Sequence, residues 1–352
     1  MMSDTELEAY VLVITRANDV TADHVIHRMA DRNIPYLRLN AEDFGTIEIA
    51  LRFPNICDSV LRIRGTRIVI GKIRGVWLRR LAKPQACQIN EPEARAFAES
   101  EMDFTLRWFI DLLSNYCPVL DGETRVLDGQ NKFDQLAIAE TFGLQIPATL
   151  ITNDPTTAKD FVKQHKTVAI KSVAGYGRQV EGGFYTVYTN IVTKDILDQF
   201  ESVRLAPVCL QEYVDKEFEL RVTVVGQEVF GCRIDSQDTK KTRVDWRRYD
   251  RTTPYSVYTI NQELSGRLIA IMKHYDIRFA AFDLIVTSDG RIVFLEMNPS
   301  PQFLWIEELI GMPITDAIID DILAQCRGYG ASTIGRSERK IIEKGGEQNE
   351  SE

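Results

Sequence analysis

Near the C-terminal end, residues 279–286 (Phe-Ala-Ala-Phe-Asp-Leu-Ile-Val) carry Asp283, and residues 291–298 (Arg-Ile-Val-Phe-Leu-Glu-Met-Asn) carry Glu296 and Asn298. Asp289-Gly290 lies between these runs, and Asp-Gly flanked by apolar residues predicts a two-residue type I′ hairpin. Counting six residues back from Asp289 and six on from Gly290 sets Asp283 directly opposite Glu296, with Asn298 on the same face. Facing carboxylates repel. Phe282, Leu284, Phe294 and Leu295 flank them, so burial adds a desolvation cost. Two readings are open. Either the face is wet and the acids keep a sheet edge soluble, or a divalent cation relieves both costs. Two carboxylates and an amide are hard oxygen donors, of the kind that hold Mg²⁺ while substrate phosphates complete its shell. On that second reading, removing one carboxylate should not weaken the metal-free hairpin.

Other residues extend the chemistry. Val168-Ala-Ile-Lys171 is an apolar strand ending in a cation, like the V-A-I-K string of protein kinases, but no H-R-D or D-F-G follows it. A small-residue loop, residues 172–178, follows instead; Gly175 and Gly177 let backbone N–H groups approach phosphates, with Lys171 supplying charge. Such a loop is also an ordinary turn. Asn131-Lys132 at a helix start offers a second cation, or a solvated lysine. Gln211, Glu212 and Val214 end a strand in polar groups that can hydrogen-bond a base, and Glu219 and Arg221 share one face of the next strand. The segment 233–251 has seven basic and four acidic residues, either an acceptor-side cation cluster or a solvated loop. Arg233 follows the run 229–232, which should aim it inward to hold a substrate carboxylate together with Arg221; Asp245 and Arg247 can orient that substrate. Phe303 and Trp305 are expected to pack a final helix.

These residues need a scaffold, and the chain can supply one: 352 residues, 44% of them hydrophobic. Net charge is −9, with 42 Lys+Arg against 51 Asp+Glu, which argues against a nucleic-acid binder. The N-terminal residues lack a signal-peptide pattern and no apolar run reaches membrane-span length, so a cytoplasmic protein is expected. Six scattered cysteines suggest neither a disulfide framework nor a zinc site. A β-α-β opening (strand 10–15, helix 21–32, strand 36–39) leads through short strands in 62–80 to a long amphipathic helix at 93–115. A second α/β pass follows: helices at 131–142, 155–164 and 193–203, with strands at 146–152, 168–171, 182–188, 208–214, 220–225, 279–286 and 291–297. A last helix is expected over 305–326, and the tail from 336, with four basic and five acidic residues, is expected to be disordered.

Two lysines, a small flexible loop, a Gln-Glu-x-Val hinge and Asp…Glu-x-Asn on paired strands resemble the ATP-grasp fold in order and spacing. More specifically, residues 11–26 and 36–44, Val76-Trp77-Leu78-Arg79-Arg80, Asn131-Lys132-Phe133-Asp134-Gln135-Leu136, Asp245-Trp246-Arg247-Arg248-Tyr249 and Asn298-Pro299…Gln302-Phe303-Leu304-Trp305 resemble the ATP-grasp ribosomal peptide maturases, the graspetide or microviridin-type macrocyclases. The likeness covers roughly residues 10–325; Asn115-Tyr116-Cys117-Pro118 and Pro301 depart from the pattern. It implies an α/β (α+β) ATP-grasp fold with an N-terminal α/β lobe at 1–122, a central subdomain at 123–205, a C-terminal subdomain at 206–330 that with the central one encloses an ATP cleft, and a tail at 331–352. By the same resemblance, Lys132, Lys171, Gly175 and Gly177 meet ATP phosphates, Gln211, Glu212 and Val214 the adenine, and Glu219 the ribose. Asp283, Glu296 and Asn298 hold Mg²⁺. From the residues themselves, Arg221 and Arg233 are expected to act at the carboxylate and Arg178, Asp245 and Arg247 to meet the peptide. The activity implied is ATP-dependent closure of ω-ester or ω-amide rings in a ribosomal precursor peptide by a homodimer, with no nucleic-acid or membrane partner. An ATP-grasp ligase acting on a free amino acid or small peptide and a non-catalytic ATP-binding scaffold are the alternatives.

Overall fold

The computed structural model describes residues 10–173, 177–180, 183–248 and 252–332. Gly175 and the tail beyond Ser332 lie outside the described residues. The chain forms two compact units, one built from residues up to Val126 with Gln302–Leu304 and the chain from Pro313, the other from Leu127–Pro301 and Trp305–Met312.

In the first unit, β1 (Tyr10–Thr15) is buried along its whole length, as a central strand of a parallel sheet must be. Helix α1 (Val20–Asp31) follows, capped by the Asp19 carboxylate, which accepts from the backbone N–H of Thr21 and Ala22. Next come β2 (Tyr36–Asn40) and a small antiparallel sheet of β3 (Glu48–Ala50), β4 (Val60–Ile63) and β5 (Thr66–Val69). Then β6 (Ile73–Leu78), α2 (Pro92–Leu113) and β7 (Val119–Leu120) complete a four-stranded parallel sheet in the order β2-β1-β6-β7. Leu12, Ile14, Leu61, Leu106 and Phe109 form its core, and Trp77, 1% exposed, is buried within the same unit.

Helix α3 (Glu123–Gly129) leads into the second unit, where α4 (Lys132–Thr141) is capped by Asn131 and followed by Gly143 at φ +76°. The next elements are β8 (Thr149–Thr152), α5 (Pro155–Gln164), β9 (Val168–Lys171), the hairpin β10 (Gly177–Val180) and β11 (Gly183–Thr186), β12 (Asn190–Ile191), α6 (Lys194–Asp198) and β13 (Val208–Glu212). The expected helix over 193–203 is in fact α6 followed by a 3₁₀ segment, Phe200–Leu205. One sheet runs β12-β9-β13-β8. A second, antiparallel sheet is built from β14 (Phe218–Val225), β15 (Glu228–Ile234), β16 (Tyr255–Tyr258) and, after α7 (Gln262–His274), β17 (Phe279–Val286) and β18 (Ile292–Asn298), in the order β16-β15-β14-β17-β18. Helix α7 is unforeseen in the sequence reading, although Asn261 caps it and Leu264, Leu268, Ile271 and Met272 recur at helical spacing on its buried face. That face covers Leu220, Val222, Phe282 and Leu284 of the sheet. The expected final helix is two, α8 (Leu304–Ile310) and α9 (Ile314–Ser332), separated by Gly311 at φ +71° and Pro313. Helix α9 belongs to the first unit, where it packs on β6 and α1.

Candidate active site

The hairpin that opened the sequence reading does set Asp283 opposite Glu296 and Asn298 opposite Ala281, but by another route. Only Gly290 of the turn has positive φ (+82°), whereas a type I′ turn needs it at both central residues. Gly290 N–H donates to the Thr287 carbonyl at 2.8 Å and Thr287 N–H to the Arg291 carbonyl at 3.0 Å, which shifts the pairing by one residue. A β-bulge restores it. Ladder partners run Val286–Ile292, Ile285–Val293 and Leu284–Phe294, then jump to Asp283–Glu296, leaving Leu295 as the extra residue. The bulge thus lies at the metal-ligand candidates themselves and brings both carboxylates to one face.

Cations already neutralise that face. Arg221 pairs with Asp283 across the ladder and donates Nη1 to its Oδ2 at 2.7 Å, with the two side chains 7% and 9% exposed. Lys132 Nζ, at the start of α4, donates to Glu296 Oε2 at 2.8 Å. Burial alone would raise the Glu296 carboxyl, but Lys132 and Lys171 outweigh it and bring it down to about 2. Burial holds Asp283 above the usual carboxylate range in spite of Arg221, with Glu296 adding to the rise. The pairing speaks against the expectation that Asp283 can be removed at no cost to the metal-free fold, because its loss would strand a buried guanidinium.

The residues fit a hard divalent ion. Asp283 Oδ1 is buried without a hydrogen-bond donor among the described residues. Asn298 Nδ2 lies 3.3 Å from Asp283 Oδ2, which places its amide at the same point. Two carboxylates and one amide would leave coordination positions for phosphate oxygens; among the described residues no three His, Cys, Asp or Glu side chains cluster as a metal site.

A cleft open to solvent lies over this row, lined by both sheets of the second unit. Lys132, Lys171, Glu296 and Asp283 line one part; Gln211, Glu212, Val214 and Glu219 line another, with Ile285 and Leu295 as apolar surface. Lys171 ends β9 opposite Cys209, and no hydrogen-bond partner among the described residues holds its ammonium. Burial lowers its pKa and Glu296 opposes the change. Gln211 is 4% exposed and spends its amide N–H on Thr149 Oγ1 at 2.9 Å. Glu219 is buried, and Lys216 Nζ donates to it at 2.6 Å. Gly177 opens β10, opposite Thr186, and Arg178 pairs with Tyr185 in the same hairpin.

The acceptor side departs from expectation. Arg221 pairs with Cys232 while Arg233 pairs with Leu220, and because opposed residues share a face, the two arginines project from opposite faces of the sheet. Arg233 stacks on Phe218 at 3.8 Å and donates to Asp235 at 2.7 Å, so it forms no carboxylate clamp with Arg221. Arg247 lines the cleft instead. Burial would lower its pKa, but bonds from Nε and Nη2 to Asp245 at 2.8 and 2.7 Å raise it, and the charges of Glu296 and Asp283 also act on it. Asp245 has no oxygen to spare for a peptide: Oδ1 takes Arg247 Nε and the Arg247 backbone N–H, while Oδ2 takes Arg247 Nη2 and the Thr189 N–H. Arg248 donates to the Thr189 carbonyl at 3.2 Å, tying the same loop to the connection that leads into β12.

Lys216 and Trp246 line the cleft and were missed. In the sequence Lys216 reads as one charge of a solvated Asp-Lys-Glu run; its spacing of three from Glu219 is the signal. Trp246 stacks on Trp305 with ring centroids 5.3 Å apart, so Trp305 buttresses the cleft wall as well as packing α8, whereas Phe303 is fully buried.

Comparison with known proteins agrees with this fold. A family model described as the MvdD pre-ATP-grasp domain matches residues 10–125. The structure is similar to a Chryseobacterium gregarium RiPP-associated ATP-grasp ligase in complex with ADP and a leader and core peptide, with 25% identity, a TM-score of 0.81, and 90% of this chain and 97% of that one covered. It is also similar to the macrocyclase MdnC of Microcystis aeruginosa MRC bound with precursor peptide MdnA (26% identity, TM-score 0.77, 89% and 99% covered). The macrocyclase MdnB of the same organism shares 28% identity at a TM-score of 0.71, with 89% and 99% covered. A search of curated proteins found no significant match. Because a family model described as the RimK-like ATP-grasp domain matches residues 129–322, more than half of the chain, the protein belongs to the RimK-like ATP-grasp family.

Proposed function

We propose that this chain is an ATP- and Mg²⁺-dependent ligase that joins Glu or Asp side-chain carboxylates of a ribosomal precursor peptide to Lys amines or Ser/Thr hydroxyls of the same peptide, closing ω-amide or ω-ester rings. The observation that carries the reading is the single cleft in which Lys132, Lys171 and Arg247 gather beside the opposed pair Asp283–Glu296, the Asp283 Oδ1 lone pairs still free of a donor. Similarity to ligases and macrocyclases solved with precursor peptides supports the substrate class.

A triphosphate and a peptide carboxylate repel, and positioning with charge neutralisation supplies most of the catalysis in phosphoryl transfer. Lys132 and Lys171 meet the phosphates. Gln211, Glu212 and Val214 bound the base, and Glu219, steadied by Lys216, meets the ribose. Asp283, Glu296 and Asn298 would hold Mg²⁺, which when bound would add positive charge beside the phosphates. Arg221 and Arg247 face the acceptor carboxylate. A carboxylate oxygen attacks the γ-phosphorus and ADP leaves; the amine or hydroxyl then attacks the acyl carbon, phosphate departs, and the nucleophile's proton passes to solvent. In this reading residues 1–122 form the pre-ATP-grasp lobe, with the ATP-grasp subdomains at 123–205 and 206–330. The cytoplasmic location and homodimer belong to the same reading, and sedimentation tests the latter.

Incubation with ATP, Mg²⁺ and a peptide combining Glu/Asp with Lys or Ser/Thr should release ADP and remove one water per ring by mass spectrometry. ADP formed only with free amino acids would favour a small-molecule ligase, and no ADP with any acceptor would favour a scaffold.

A further inference from the structure

Met297 sits between Glu296 and Asn298 on β18, and one side chain reads its backbone on both sides. Gln135 of α4 is 1% exposed. Its Oε1 accepts the Met297 N–H at 2.9 Å; its Nε2 donates to the Met297 carbonyl at 2.8 Å and to the Gly129 carbonyl at 2.5 Å. Strand β18 is the edge of its sheet; Gln145 bridges its outer side at Val293, but at Met297 no strand among the described residues supplies these bonds. The Gln135 amide takes the place of one residue of a further strand, and burial makes that pairing costly to lose.

Alternation along a strand ties the two flanking ligands to this point: any slip or tilt of β18 at Met297 moves Glu296 and Asn298 together. Three residues earlier on α4, Lys132 donates to Glu296 at 2.8 Å, so one helix holds both the backbone and a carboxylate of the metal strand. Asp134 of the same helix accepts from Tyr275 Oη at 2.7 Å, which anchors α4 to the residue after α7. At Gly129 a Cβ would lie 2.4 Å from Ile277 Cδ1 and 3.4 Å from Met297 Cε, so glycine permits the close approach that Gln135 bridges.

We propose that Gln135 is a positioning residue for the divalent-cation site, fixing β18 at Met297 so that Glu296 and Asn298 present their oxygens together with Asp283. This rests on the ATP- and Mg²⁺-dependent reading above. The test uses the full chain with ADP and Mn²⁺, free Mn²⁺ being read by electron paramagnetic resonance. Gln135→Met should weaken Mn²⁺ binding about tenfold or more, as loss of a group that orients metal ligands does, while ADP binding in EDTA stays within about twofold of wild type. Amide exchange at Met297 should quicken in parallel. Should circular dichroism show that Gln135→Met does not fold, Gln135→Asn, which keeps the amide one methylene short, is judged by the same criterion. Mn²⁺ affinity within about twofold of wild type in the folded variant would overturn the proposal. Absence of Mn²⁺ binding by the wild type with ADP would instead overturn the metal reading, and the role of Gln135 with it.

Discussion

Removing the Asp283 carboxylate should cost stability even when no metal is present. Asp283→Ala deprives Arg221 Nη1 of its acceptor at 2.7 Å, and Arg221 Nε is already buried without one among the described residues. Breaking a buried pair by deleting one partner costs about 3–5 kcal/mol. Against this stands relief of repulsion from Glu296, about 3 kcal/mol for bare charges roughly 5 Å apart at an effective dielectric near 20. Lys132 at 2.8 Å already cancels most of the Glu296 charge, so the relief shrinks to about 1 kcal/mol and the net loss is about 2–4 kcal/mol. Melting should fall by about 5–10 °C in EDTA. Arg221→Met should also destabilise, because it takes from the buried Asp283 carboxylate the cation that donates to its Oδ2. The double variant should lose less than the two singles combined, by about 1–3 kcal/mol. Urea unfolding of the four proteins in EDTA gives the cycle. If Asp283→Ala is within about 0.5 kcal/mol of wild type, the buried pair contributes nothing structural and the reasoning fails.

Three further outcomes follow from the site. Arg247→Ala should raise the peptide KM by about tenfold or more while leaving the ATP KM nearly unchanged, and Arg233→Ala should move the peptide KM much less; the opposite ranking in steady-state kinetics would restore Arg233 to the acceptor site. Burial alone would raise the Asp245 pKa, but its bonds to Arg247 and Thr189 set it below the usual value. Its contribution to stability is therefore complete above the unfolded pKa near 3.9 and lost as pH falls through the depressed folded value. Urea midpoints for Asp245→Asn should accordingly depend less on pH below about 4 than those of the wild type. Burial pushes the Cys209 thiol up although Lys171 and Lys132 oppose it, so iodoacetamide should label Cys209 slowly near pH 7 and Mg·ATP should slow it further; fast, nucleotide-insensitive labelling in a peptide map would contradict the cleft's placement of Cys209 beside Lys171.

The sequence reading recovered the strongly patterned elements: the apolar-rich β1, β9 and β17, and α5 with its Asp-Pro start, have the expected bounds. Its opposition of Asp283 and Glu296 holds only because two one-residue departures cancel, a longer turn at Gly290 and a bulge at Leu295. Neither is visible in local sequence, since Asp-Gly serves several turn types and a bulge is set by the fit of neighbouring strands. Arg233 was misjudged for a related reason: its face follows from its pairing with Leu220, information held by β14 rather than by its own strand. Gln135 was noticed only within a motif, because its role is to bond a backbone 162 residues away.

The central claim is that this cleft activates a peptide carboxylate by phosphoryl transfer. Its most direct test labels the Glu/Asp side-chain oxygens of the acceptor peptide with ¹⁸O and follows the phosphate released during ring closure by mass spectrometry. The account predicts one ¹⁸O atom in inorganic phosphate for each ring formed, with ADP as the co-product. Rings formed with unlabelled phosphate, or with the label in AMP, would contradict it.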